Sequence, residues 1–154
     1  MSNATHHDAE LILKLYDLRR EDEMRKARKF VAFQVWPNNY AEFEDAFMNP
    51  AKPQENAWFR QVTSFWEMAA SLVNHGSIHQ ALFIEASGEL FFVYAKLKPF
   101  LPEWRAKFGM PDILAQTEKL ATGTPEARAK LEAFEKRVQF VKSRFAGAAA
   151  KAGK

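Results

Sequence analysis

Residues 54–74, QENAWFRQVTSFWEMAASLVN, decide the fold. Trp58, Val62, Phe65, Ala69 and Leu72 recur there at intervals of 4, 3, 4 and 3, which places them on one face of a 3.6-residue helix. Phe59, Trp66 and Val73 widen that face until the segment is apolar round most of its circumference, the signature of a helix near the centre of a domain. Such a helix needs apolar partners on several sides, and the flanking sequence supplies them at the same period. On the C-terminal side Leu90, Val93, Leu97, Leu101, Trp104 and Phe108 form a second stripe, with Pro99 and Pro102 inside it. Each proline removes a backbone donor and crowds the preceding turn, so a break is expected near Lys98. Beyond it, Met110-Pro111 reads as the start of a helix ending near Gly123. Thr124-Pro125-Glu126 then combines a cap, a proline at the first helical position and an acid in the first turn.

On the N-terminal side, Asn39 caps a short helix from Tyr40 to Met48, which Asn49-Pro50 ends. A long first helix is expected from Asp8 to about Gln34, roughly 40 Å at 1.5 Å per residue. Its charged middle, Arg19 to Lys26, would be held by i,i+4 pairs between Glu21 and Arg25 and between Asp22 and Lys26. Gly76 stops the central helix, and Ser77 caps a short helix from Ile78 to Ala86. Leu90-Phe91-Phe92-Val93-Tyr94 has strand propensity, but the helical period continues on both sides of it. The expected fold is an all-α, single-domain bundle of about five or six helices, with a long N-terminal helix and a proline-kinked fourth helix. Residues 1–8 read as a vector scar (Met1-Ser2-Asn3-Ala4) and a disordered start, residues 9–145 as one helical domain, and residues 146–154 as a flexible Ala/Gly/Lys tail.

The bulk numbers fit this reading. Of the 154 residues 47% are apolar and 27% charged, an ordinary globular balance. Fourteen Phe, four Trp and three Tyr supply a large core. The absence of cysteine removes disulfides, thiol catalysis and cysteine-ligated metal, and fits a reducing compartment. With no signal-like start and no apolar run near 20 residues, a cytoplasmic protein without a membrane partner is expected. The net charge of +3 is uneven. Residues 124–154 carry eight Lys/Arg against three Glu, a local +5, so the basic character belongs to the last helix.

Three constellations could carry chemistry. The first is a polar seam on the central helix, where Arg60, Ser64, Glu67, Ser71 and Asn74 repeat at 4, 3, 4 and 3. Between Trp66 and Met68, the Glu67 carboxylate is expected to need a cationic partner. Arg60 lies two turns away, and Arg19 or Arg20 could reach it from the first helix. The seam reads as a buried acid or ligand anchor, or else as a structural ion pair or a wet edge. The second is His75 and His79, an i,i+4 pair with metal-ligand spacing. Gly76-Ser77 breaks the face they would share, so no metal site is assigned, and His75 reads instead as a C-terminal dipole partner or a member of the seam. The third is the last helix. Ala127, Leu131, Phe134, Val138, Val141 and Phe145 repeat at 4, 3, 4, 3 and 4, a regular seam suited to packing within the domain or to self-association. Lys130, Lys136, Arg137, Lys142 and Arg144 occupy its outer face, without a recognisable nucleic-acid-binding motif beside them. The tryptophans Trp36, Trp58, Trp66 and Trp104 read as core first and as pocket lining second.

Lys14-Leu15-Tyr16-Asp17-Leu18-Arg19-Arg20, Arg25-Lys26-Ala27-Arg28, Ser64-Phe65-Trp66-Glu67-Met68-Ala69 and Lys96-Leu97-Lys98-Pro99-Phe100 together resemble an uncharacterised family of small bacterial all-helical proteins, over about residues 9–109. The resemblance implies an all-helical fold and carries over no catalytic residue. There is no phosphate loop, dinucleotide fingerprint, nucleophile elbow or paired Glu-x-x-His motif. No cofactor is assigned, and the balance tilts against an enzyme. The expectation is a non-enzymatic protein that binds a protein partner or itself as a homodimer. The alternative is a small-molecule-binding protein or enzyme with Glu67 in a pocket. A third reading is weak nucleic-acid binding through the basic last helix.

Overall fold

The computed structural model describes residues 2–152, apart from the side chains of residues 146, 147, 149 and 150. All regular structure among these residues is helical: α1 (His6–Leu18), α2 (Asp22–Lys29) running into a π-helical turn (Phe30–Gln34), α3 (Tyr40–Met48), α4 (Pro53–Asn74), α5 (Gln80–Ala86), α6 (Gly88–Leu97), a 3₁₀ turn (Lys98–Phe100), α7 (Leu101–Phe108), α8 (Ala115–Thr122) and α9 (Pro125–Ala152). The helices are more numerous and shorter than the five or six expected. None is long and apolar enough to cross a membrane. Of the Ala/Gly/Lys tail expected over residues 146–154, residues 153 and 154 lie outside the described residues, and α9 is described to Ala152.

The long N-terminal helix is corrected to two helices meeting at an elbow over Arg19–Glu21. The cause is local. Instead of pairing with Arg25, the Glu21 carboxylate turns onto the backbone and accepts from Glu23 N at 3.1 Å and Met24 N at 2.9 Å. It thereby caps a new helix, a competition in which a short acidic linker replaces one helical turn by two ends. The expected i,i+4 pairs become i,i+3 pairs, Arg25–Asp22 and Lys26–Glu23. The start of α1 also differs. Thr5 is the cap and Asp8 stands at the third helical position, the two forming a reciprocal capping box.

The proline break falls where expected, at Lys98, with the 3₁₀ turn joining α6 to α7. That turn brings Phe100 onto Phe43 at 4.9 Å between ring centres. Gly109, at φ 62°, closes α7 in the left-handed conformation that glycine tolerates. The helix expected from Pro111 starts only at Ala115, after turns ending in Leu114 at φ 54°. A leucine is rarely left-handed, and burial of its side chain in the core holds it there. Likewise α5 starts at Gln80 with His79, not Ser77, as its cap.

The helix most fully enclosed is α6, in which every residue from Leu90 to Leu97 is buried. It packs on α9 and α8, while α4 packs on α2, α3 and α8 and keeps an open edge at Arg60, Ser64 and Met68. A second aromatic layer joins α3 to α4, where Phe47 stacks on Phe59 at 4.5 Å and Phe43 meets Trp104 at 5.5 Å.

Candidate functional site

Folding at the Arg19–Glu21 elbow turns Arg19 and Arg28 toward one carboxylate. Glu89, in the first turn of α6, accepts from Arg19 Nη2 at 2.8 Å. It also accepts from Arg28 through both Nε, at 2.8 Å, and Nη2, at 2.6 Å. This two-atom fork is the geometry in which arginine binds carboxylate best. Arg28 Nη1 donates back to Arg19 O at 3.2 Å. The Glu89 carboxylate holds the Arg28 guanidinium more firmly charged than usual. Arg19 also lies over the Trp66 ring at 5.1 Å, so the elbow is fastened to both α6 and α4.

Past α2 the chain widens into the π turn, a form found mostly as single turns and often at functional sites. Its Val31 and Ala32 carbonyls accept from Lys96 Nζ at 2.7 and 3.2 Å. The same ammonium stands over the Trp36 ring at 3.7 Å. Burial, with a smaller push from the charge of Lys142, drives Lys96 down to about 7. A matching device holds the end of α5, where Lys130 donates to the Ile84 and Glu85 carbonyls and lies over Phe91.

Between α2, the start of α6 and α9 opens a cleft of about 620 Å³. Its floor is apolar, from Ala32, Phe33, Phe92, Phe134 and Val141. Phe134 approaches so closely that a Cβ on Gly88 would stand 3.0 Å from its ring. Around the floor stand Arg25, Arg28, Lys29 and Arg137, with Glu89 as the one acid lining the cleft. Phe145 stacks on Phe33 and Trp36 at about 6 Å, which extends the aromatic surface along α9.

The residues singled out from sequence lie elsewhere, except at this end of α9. Glu67 meets the start of α8: Oε1 accepts from Gln116 N at 2.8 Å, and Oε2 from Thr117 N at 2.9 Å and Thr117 Oγ1 at 2.7 Å. An acid at a helix N-terminus satisfies orphan donors and complements the dipole. Asn74 donates to Gln116 O and Oε1 beside it. Arg60 and Ser64 are exposed on the open edge of α4. Neither Arg19 nor Arg20 reaches Glu67, since Arg19 is bound to Glu89 and Arg20 points to solvent. Ser71 and His75 contact one another, and His75 Nδ1 lies 2.8 Å from Ser71 O. His79 instead caps α5. No group of three or more metal-ligating side chains gathers among the described residues.

The α9 seam turns inward. Ala127, Leu131 and Val138 are buried and Phe134 and Val141 half-buried, while Phe145 stays 43% exposed. Of the basic outer face, Lys130 is spent on α5 and Lys136 pairs with Glu132. The reading from sequence missed Glu89, Arg28, Lys29 and Lys96. Arg25 and Lys29 do stand at i,i+4 beside an apolar run, but nothing in the chain announces that Arg28 between them finds its carboxylate 61 residues away.

The fold and cleft define the class, an all-helical bundle whose α9 lies across α6 and α8. The chain belongs to the family described as a domain of unknown function (DUF4760), whose model matches residues 4–124. The match therefore takes in α1 to α8 and ends at the cap of α9, so Phe134, Arg137 and Val141 line the cleft from outside it. No curated protein and no solved structure matches the chain.

Proposed function

We propose a non-enzymatic bacterial protein of the cytoplasm that acts by association, with a second copy of its own chain docked along α1. The observation that carries this reading is the surface of α1. Leu15 alone is buried on that helix, while Leu11 is 39%, Leu13 67%, Tyr16 55% and Leu18 47% exposed. Leu11 and Leu18 lie beside Leu15, whereas Leu13 and Tyr16 form an exposed apolar pair on the opposite side, and exposed apolar clusters of this kind mark interaction sites. At 100° per residue Leu13 lies nearly opposite Leu15, with Glu10 and Tyr16 on the same outward side and Arg20 exposed just beyond the end of the helix. Closed dimers use one patch twice about a twofold axis. With two α1 helices antiparallel, Leu13 meets Tyr16 of the second copy, and Glu10 of each helix meets Arg20 of the other. Both charges are exposed, and Arg20 makes no ion pair among the described residues.

Light scattering on a sizing column across concentration tests the reading. The wild-type chain should run as a dimer, and Leu13→Glu with Tyr16→Glu as a monomer of unchanged melting temperature. A wild-type monomer at every concentration, or a double variant that still dimerises, overturns it.

A further inference from the structure

The cleft between α2, α6 and α9 has a chemistry that the self-association reading does not use. We propose that it is a binding site for an organic anion with an apolar body, of the class of medium-chain carboxylates. The floor offers Phe33, Phe92 and Phe134 to a hydrocarbon or ring, and Phe33 is 44% exposed. Above that floor the cations outnumber the acids. Glu89 is consumed by Arg19 and Arg28, and Arg25 leans on Asp22 at 3.1 Å. Lys29 and Arg137, from opposite walls, make no ion pair with an acid among the described residues. A carboxylate head between these two would neutralise charge that the fold leaves unanswered, while its tail covers the phenylalanines. The volume, about 620 Å³, lies within the range of small-molecule pockets. A purely apolar ligand leaves the cations unanswered, and a small inorganic anion leaves the aromatic floor wet. The geometry therefore selects both ends of the ligand together.

The cleft and the dimer surface are tested separately. Decanoate, decanol and acetate are titrated into the intact protein below their aggregation limits by isothermal calorimetry. Decanoate should saturate at one site per chain and bind at least tenfold more tightly than decanol or acetate. Lys29→Ala with Arg137→Ala, both exposed positions, should weaken decanoate at least tenfold at an unchanged melting temperature. Lys119→Ala, which removes an exposed cation on α8, should leave binding as it was. Equal binding of decanol and decanoate, or wild-type affinity in the double variant, overturns the site. Flotation with phosphatidylglycerol vesicles separates a free ligand from a lipid surface. Vesicle binding without decanoate binding overturns the cleft in favour of the surface. Leu13→Glu with Tyr16→Glu should still bind decanoate, so failure of either proposal leaves the other standing.

Discussion

α1 and α9 both carry large apolar residues at helical spacing, yet the bundle treats them oppositely. α9 keeps most of its apolar groups on one stripe, and α6 and α8 absorb the larger part of it: Ala127, Leu131 and Val138 are buried and Phe134 and Val141 half-buried, while Phe145 at its far end and Phe140 off the stripe stay exposed. α1 spreads its apolar groups round the helix, so one neighbouring surface can cover only a part, and Leu15 alone is buried. A single clean stripe is thus the mark of a helix whose partner lies within the chain. Apolar residues on several sides mark one that is central or has a partner elsewhere. α6 is the central case, because its neighbours lie all round it. α1 lies at the edge, which is why its remaining leucines carry the association reading.

The sharpest break of this comparison is a pair of substitutions on the α9 stripe. Leu131→Glu with Val138→Glu puts two carboxylates into the core without partners. Losing a buried aliphatic side chain costs about 2–5 kcal/mol, and an unpaired buried charge costs more. Together these rival the 5–15 kcal/mol of a typical domain, so loss of the cooperative thermal transition by circular dichroism is expected. The equivalent charges at Leu13 and Tyr16 on α1 should leave the transition in place. A folded α9 double variant would show that the stripe is not what holds α9 to the bundle.

A smaller effect is expected where α8, on which α9 rests, is held by Glu67. In Glu67→Gln the amide keeps one acceptor but sets a donor against the backbone N–H of Gln116 or Thr117. Losing the charge at the helix N-terminus and one good bond should cost about 1–3 kcal/mol in urea unfolding. Amide exchange should quicken first in α8. A gain in stability would instead mark Glu67 as a strained group retained for binding.

Periodicity gave away the elements but not their ends. The α4 ridge, the break at Lys98, the Asn39 cap and the start of α9 at Thr124-Pro125 are all written in local residue order. The Arg19–Glu21 elbow is not, because i,i+4 pairing and end capping by Glu21 are close in free energy, and Glu89 tips the balance from 70 residues away. The same holds for Leu114, whose left-handed backbone is fixed by what its side chain packs against. Glu67 was legible as a carboxylate in need of partners. That its partners are backbone N–H groups of α8 depends on tertiary packing alone. The cleft was the least legible feature. Its cations come from two segments more than 100 residues apart, α2 and α9, and Arg137 was visible only as one of several basic residues on the outer face of α9.

The smallest expected effect is that of removing Lys142, which faces buried Lys96 at the far end of α9. The carbonyls of Val31 and Ala32 and the Trp36 ring favour the ammonium, but burial prevails and Lys96 is pushed down to about 7 from an unfolded value near 10.5. Between those pH values the unfolded chain holds the proton that the folded chain gives up. Stability should therefore rise with pH across that window, by at most about 1.4 kcal/mol per pH unit, and be flat in Lys96→Met. Lys142→Ala removes the neighbouring charge, so Lys96 should keep its proton to a higher pH. The variant should then be more stable than wild type at pH 7 by a few tenths of a kcal/mol, roughly the size of an exposed charge interaction. The difference should fade as pH rises well above 7, where Lys96 is neutral in the folded state of both proteins. Denaturant melts at pH 7, 8.5 and 10 measure it. Parallel curves for the two proteins would mean that α9 meets the bundle here through its apolar stripe alone.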